Sequence, residues 1–242
     1  DSALLVAAAP LVGLLCATFL PLAPLRGQGL RALRPDAWPS RGSVGPVVYY
    51  AAFSVMVSVD MFVVKASHTS HDAGQYAAAA LFGKIILFLP VAVGLVLVSE
   101  VARRHSHGEP TAPLLAVALA ATMLLSGAVA ALTWAFPHAA VEWTSGPEYR
   151  DAVPIVGLYA LAVSGFALLN VLASYGLARG YRAPGVICLV AIPLEVCAQI
   201  VFRDSFEKIV LTLLVTSLLA AAGVAAALWR RARVPAPPGA GG

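Results

Sequence analysis

Residues 59–103 read VDMFVVKASHTSHDAGQYAAAALFGKIILFLPVAVGLVLVSEVAR. Two apolar runs flank the polar stretch HTSHDAG. The second run, 74–101, exceeds the ~20 residues that a helix needs to cross a hydrocarbon core. Each run carries one charge inside it, Asp60 in the first and Lys84 in the second. Near the bilayer centre such a charge costs about 2.5–3.5 kcal/mol on insertion scales unless it pairs or faces water. The stretch therefore predicts two neighbouring membrane helices with a polar element between them.

Working outward, five more apolar segments appear, at 3–24, 111–136, 152–178, 184–202 and 208–229, and the first run extends back to 44–66. The 242 residues are 60% hydrophobic and 12% charged, with a mean hydropathy of +0.85. A soluble domain carries about 25% charged residues, so the composition selects an integral membrane protein. The net charge of +4 then reflects topology and gives no reason to expect nucleic-acid binding. Pro46, Pro113, Pro154 and Pro184 fall in predicted first turns, where a missing N–H leaves no helix bond unmade.

The basic residues set orientation. Eleven of the sixteen (Arg26, Arg31, Arg34, Arg41, Arg103, Arg104, Arg179, Arg182, Arg230, Arg231 and Arg233) fall on one side of the predicted topology. Lys65, Arg150, Arg203 and Lys208 fall on the other, with Asp72, Glu142, Glu148, Asp151, Asp204 and Glu207. The positive-inside rule makes the arginine-rich side cytoplasmic. The C-terminal tail, 230–242, is then cytoplasmic, and its VPAPPGAGG sequence is expected to be disordered.

Several side chains are candidates for function. Asp60 lies about 9 Å and Lys84 about 15 Å below the outer helix ends, close enough for a lysine stem to reach across. They form either a structural ion pair or charged groups lining a wet cavity. Asp60 shares a helical stripe with Met56, Phe53 and Tyr49, which suits a sugar-holding cavity wall or a helix–helix contact equally. Glu195 follows Pro193, with Gln199 one turn on, and could carry a coupling proton or bond across helices. Asn170 reads as interhelical glue. His68, His71 and Asp72 are expected to be solvated loop residues rather than metal ligands. Cys16, Cys188 and Cys197 have no metal or redox spacing and read as buried thiols. Walker, HExxH and GxSxG motifs are absent from the sequence, so neither a cofactor nor an enzymatic activity is expected.

With the charges placed, the 59–103 stretch resembles the polysaccharide-transporter branch of the multidrug/oligosaccharidyl-lipid/polysaccharide flippase superfamily. In that branch an Asp near one helix end precedes a loop, an AGxY motif and a long helix ending in a basic turn. Here these are Asp60, Ala73-Gly74-Gln75-Tyr76 and Arg103-Arg104. GPEYRDAVPIVGLYALAVSGFALLNVLASYGLARG, residues 146–180, is also similar to the family, with a G-x-x-Y element before a helix that ends in a small-residue basic turn. The resemblance implies an all-α, six-helix, MATE-like C-terminal lobe over 44–229. Residues 1–24 would be the last helix of an N-terminal lobe, and 25–43 a basic cytoplasmic connection. It further implies a multi-pass protein of the bacterial inner membrane that flips a polyprenyl-pyrophosphate-linked oligosaccharide outward by alternating access. Asp60 and Lys84 would face the cavity, and Tyr49 and Phe53 would join them in holding substrate. Glu195 and Asp60 would serve coupling, and the partners would be the bilayer, the lipid-linked sugar and the other lobe. A cation-coupled multidrug antiporter of the same superfamily is the alternative, although Lys84 favours an anionic substrate. A membrane glycosyltransferase or polymerase fits less well, because such enzymes need larger outer loops with catalytic carboxylates.

The topology has a direct check. Single cysteines placed at Ser70 and Ser145 should react with an impermeant maleimide added outside, and those at Ser106 and Tyr181 should not. External labelling at 106 would invert or break the assignment.

Overall fold

The computed structural model describes residues 44–232. The predicted span 3–24, the connection 25–43, Cys16 and the tail from 233 lie outside the described residues. Those that are described form helices and short turns, with no strand among them.

The first span comprises Val44–Met56 (α1) and Val59–Ser67 (α2), joined by a tight turn at Val57–Ser58. There the Ser58 N–H bonds back three residues to Val55 O at 3.0 Å, tightening the α pattern just before Asp60. Ser70–Ser106 (α3) is 37 residues long, about 55 Å at 1.5 Å per residue and well beyond the ~30 Å hydrocarbon thickness. Its start explains the polar stretch: Thr69 Oγ1 accepts the Asp72 N–H at 3.2 Å, satisfying a donor of the first turn. HTSHD is therefore mostly helix cap and first turn rather than an open loop, and α3 begins four residues before the predicted 74. It ends at Gly108, whose φ of +73° few other residues adopt.

Ala112–Ala135 (α4) follows, then Pro137–Thr144 (α5) and a 3₁₀ turn at Pro147–Ala152. The predicted outer loop 137–151 is thus ordered over the bundle end, tied down where Gln75 Nε2 donates to Glu148 O at 3.0 Å. Val153–Ala178 (α6), Ala183–Val201 (α7) and Phe206–Ala232 (α8) complete the described residues. Helix α8 continues to Ala232, so Arg230 and Arg231 belong to its last turn rather than to the tail. Among the described residues, five spans are long and apolar enough to cross a membrane: Gly45–Ser67, Ala112–Ala135, Pro147–Ala178, Ala183–Val201 and Phe206–Arg231. This is a helical membrane protein.

Burial divides the helices by role. In α6, 78% of the membrane-length window is buried against protein, whereas α4 has 22%. Helix α6 is the central post, packed by α3, α4 and α8, while α1 leans on α7. The outer helix α4 is inverted relative to a soluble helix. Its buried stripe is Ala118, Thr122, Ser126, Ala130 and Thr133, and its outward face bears Val117, Met123, Leu124 and Leu132. Small and hydroxyl residues inside with large apolar ones outside is the pattern expected when the solvent is lipid. Two of the buried hydroxyls bond to their own helix, Ser126 Oγ to Thr122 O at 2.6 Å and Thr133 Oγ1 to Val129 O at 2.8 Å.

Close approach between α3 and α6 depends on Gly83. A methyl group there would collide with the Tyr159 ring and meet Val163 Cγ2 at 3.1 Å. The ring cannot swing aside freely, because its hydroxyl is engaged by Asp60. Gly83→Ala should therefore lower stability by about 1–3 kcal/mol, the usual cost of overpacking, despite the better helix propensity of alanine. Thermal unfolding in detergent reads this, and an unchanged or raised midpoint would refute the close contact.

Candidate functional site

Asp60 occupies the first turn of α2 and is 0% exposed. A carboxylate is favoured at a helix N-terminus by unbonded N–H groups and the helix dipole. Its Oδ2 accepts two hydrogen bonds, from Tyr76 Oη on α3 at 2.9 Å and Tyr159 Oη on α6 at 2.8 Å. Both tyrosines are sealed from solvent, and their rings meet edge to face at 5.8 Å. Phe206, at the start of α8, covers Tyr76 at 5.5 Å between ring centres.

Glu195 approaches from α7. It and Gln199, one turn on, are both 0% exposed, and Gln199 Nε2 donates to Glu195 Oε1 at 3.3 Å. Asp60 and Glu195 lie within electrostatic range of one another. Three oxygens of this cluster, Asp60 Oδ1, Glu195 Oε2 and Gln199 Oε1, are buried without a hydrogen-bond partner. A buried acceptor without a donor costs about 1–3 kcal/mol, and more when charged. Two carboxyl groups and an amide oxygen constitute an oxygen-rich set deficient in positive charge. A proton, or a hard monovalent cation, is the chemistry that would satisfy it.

Lys84 does not pair with Asp60. It is half-buried and within electrostatic range of the carboxylate, yet among the described residues it forms no ion pair. The ion pair, one of the two readings of the sequence, is not formed, and Asp60 is bonded instead by two tyrosine hydroxyls, neutral donors already inside the apolar core. Asp60 is sealed rather than lining an open wet cavity in this conformation.

The stripe below Asp60 forms a helix–helix contact. Met56 and Tyr49 are 0% exposed and Phe53 9%. Tyr49 Oη donates to Asn170 Oδ1 at 3.1 Å, and Phe53 stacks edge-on against Phe166 at 5.9 Å. Asn170 thus does bridge helices. Neither Tyr49 nor Phe53 reaches an open surface here.

The histidines of HTSHD turn to different partners, His68 to the Phe206 ring at 4.6 Å and His71 to Asp151 at 3.8 Å. Cys188 is buried as expected, but Cys197 is exposed, because the face of α7 opposite Glu195 and Gln199 points outward. Tyr159 was missed at the sequence level. Nothing in GLYAL separates it from an ordinary membrane tyrosine, whereas Tyr76 stood in the AGQY motif without an assigned role.

Comparisons of the chain with family models, with curated proteins and with solved structures returned no match. The cluster therefore stands on its geometry.

Because both tyrosines bond to one oxygen, their contributions should be coupled. Tyr76→Phe and Tyr159→Phe should each cost about 1–3 kcal/mol, as expected when a buried polar group loses a donor. The double variant should deviate from additivity by at least about 0.5 kcal/mol. Additive effects in a double-mutant unfolding cycle would show that the two hydroxyls do not share Asp60.

Proposed function

We propose that this chain is a six-helix, MATE-like lobe of a cation-coupled membrane transporter. Its cargo is a polyprenyl-pyrophosphate-linked oligosaccharide, flipped outward across a bacterial inner membrane. One observation carries the coupling part of this reading: Asp60 and Glu195 are sealed within the membrane core with three neighbouring oxygens lacking donors. A purely structural cluster gains nothing from orphaned acceptors, whereas a site that takes up and releases a cation needs acceptors that are empty in one state. Proton or cation uptake neutralises the pair and allows the core to close. Release leaves two like charges that favour opening to water. The turn at Val57–Ser58, next to Asp60, supplies the helix interruption common at such sites.

Substrate handling falls to Lys84. It is half-buried and not consumed by Asp60, so its charge remains available for an anion. In the two-lobed arrangement that the resemblance implies, Lys84 would meet the pyrophosphate at the lobe interface. A multidrug antiporter of the same superfamily would use the same acidic pair but has no need of the lysine.

In the full-length protein, Asp60→Asn and Glu195→Gln should each reduce transport at least tenfold and flatten its dependence on the cation gradient. External polysaccharide in a flippase-null strain, normalised to membrane protein, is the readout. Lys84→Ala should abolish export while folded protein remains. Because Lys84 is not the partner of Asp60, the double change Asp60→Asn with Lys84→Met should stay inactive. Full activity of that double variant would reject the substrate role of Lys84, and a gradient response unchanged in Glu195→Gln would reject coupling.

A further inference from the structure

At the opposite end of the lobe from His68 and Asp151, the ends of α6 and α8 and the start of α7 gather arginines around one ring. Arg179 Cζ lies 5.3 Å from the Tyr181 ring centre and Arg231 Cζ 4.8 Å from the same centre. The two guanidinium groups are therefore at most about 10 Å apart, within range for mutual repulsion near a low-dielectric surface. Cation–π contact holds each on the ring but neutralises neither.

Among the described residues, neither guanidinium has a carboxylate partner. Helix α6 has no acidic residue at all. Glu195 is twelve residues into α7, about 18 Å away along the axis, and Glu207 is at the far end of α8, about 36 Å from Arg231. Glu100, near the end of α3, and Glu109, three residues beyond it, are engaged by Arg103 and Arg104. Arg179 is pinned from behind by its 3.4 Å bond from Nη1 to Tyr175 Oη, which itself pairs with Thr111 at 2.9 Å. Its Nε is buried, and among the described residues this nitrogen has no acceptor.

We infer that Arg179, Tyr181 and Arg231 form a binding site for the phosphate of an anionic phospholipid in the arginine-rich leaflet. Among the described residues the counter-charge is missing; an anion at headgroup level supplies it, and a guanidinium pair matches phosphate oxygens in both charge and hydrogen-bond geometry. Acyl chains have a track beside it. The exposed residues Val186, Leu189, Val190 and Leu194 run down α7 at helical spacing, starting one turn below Arg182. Trp229, 60% exposed on α8, stands at the same level, where indole rings favour the membrane interface. The site is remote from Asp60, Glu195 and Lys84 and independent of the transport reading.

The test uses the purified 242-residue chain in neutral detergent, titrated with phosphatidylglycerol, with phosphatidylcholine or with inorganic pyrophosphate. Native mass spectrometry counts bound lipid, and thermal unfolding reads the stabilisation. Phosphatidylglycerol should bind at least tenfold more tightly than phosphatidylcholine and raise the midpoint, whereas pyrophosphate should not. Arg231→Gln, at an exposed position that the fold does not need, should lose most of that preference, and Arg179→Gln with Arg231→Gln should lose all of it. Equal affinity for the two lipids, or full phosphatidylglycerol binding by Arg231→Gln, would overturn the site. A pyrophosphate shift as large as that of the lipid, and lost in Arg231→Gln, would overturn the lipid assignment in favour of a soluble anion.

Discussion

The Asp60 carboxylate is the constraint around which the lobe is organised. Its Oδ2 is fixed by hydroxyls from two other helices, so a single atom sets the relative positions of α2, α3 and α6. A carboxyl group removed from water is costly unless bonded, which makes this register hard to slip. The tyrosine ring on α6 reaches Asp60 only because Gly83 leaves room for it. The carboxyl group, its two donors and the glycine therefore act as one unit.

Around that unit the helices associate without the driving force that assembles a soluble core. Lipid is as apolar as leucine, so packing of small residues and hydrogen bonds across helices take over. The buried stripe of α4 and the fit of Gly165 against Ser217 between α6 and α8 follow from this. So does the Tyr49–Asn170 bond, which ties α1 to α6. Large apolar side chains are turned outward, where a soluble protein would place its polar ones.

Against this well-bonded background the α7 side of the cluster stands out. Among the described residues, Ser126 and Thr133 of α4 and Ser217 of α8 find carbonyl partners and Thr122 Oγ1 stands alone, but here three neighbouring side chains, Asp60, Glu195 and Gln199, each retain an unbonded oxygen. Stability would favour filling those positions with donors. Leaving them open is a local cost of the kind proteins concentrate where something must bind and leave. Arg179 shows the complementary deficit at the arginine-rich end, a buried donor without an acceptor.

Much of this was legible from residue order alone. Apolar run length determined the membrane class and, among the described residues, the helix bounds to within about five residues, because crossing a bilayer imposes a minimum helix length. Intramembrane charges marked Asp60, Lys84 and Glu195 as costly, and helical spacing placed Gln199 beside Glu195 and Met56, Phe53 and Tyr49 beneath Asp60. Periodicity states which residues share a face of one helix, but not which neighbour that face meets. Only the tertiary structure could give Asp60 a partner 99 residues away instead of the lysine one helix on. It also turned the aromatic stripe into a packed contact, left Cys197 exposed, and drew Arg179 and Arg231 onto one tyrosine. Each of these outcomes depends on how helices distant in sequence pack side by side, and that is settled by volume and hydrogen-bond geometry in three dimensions.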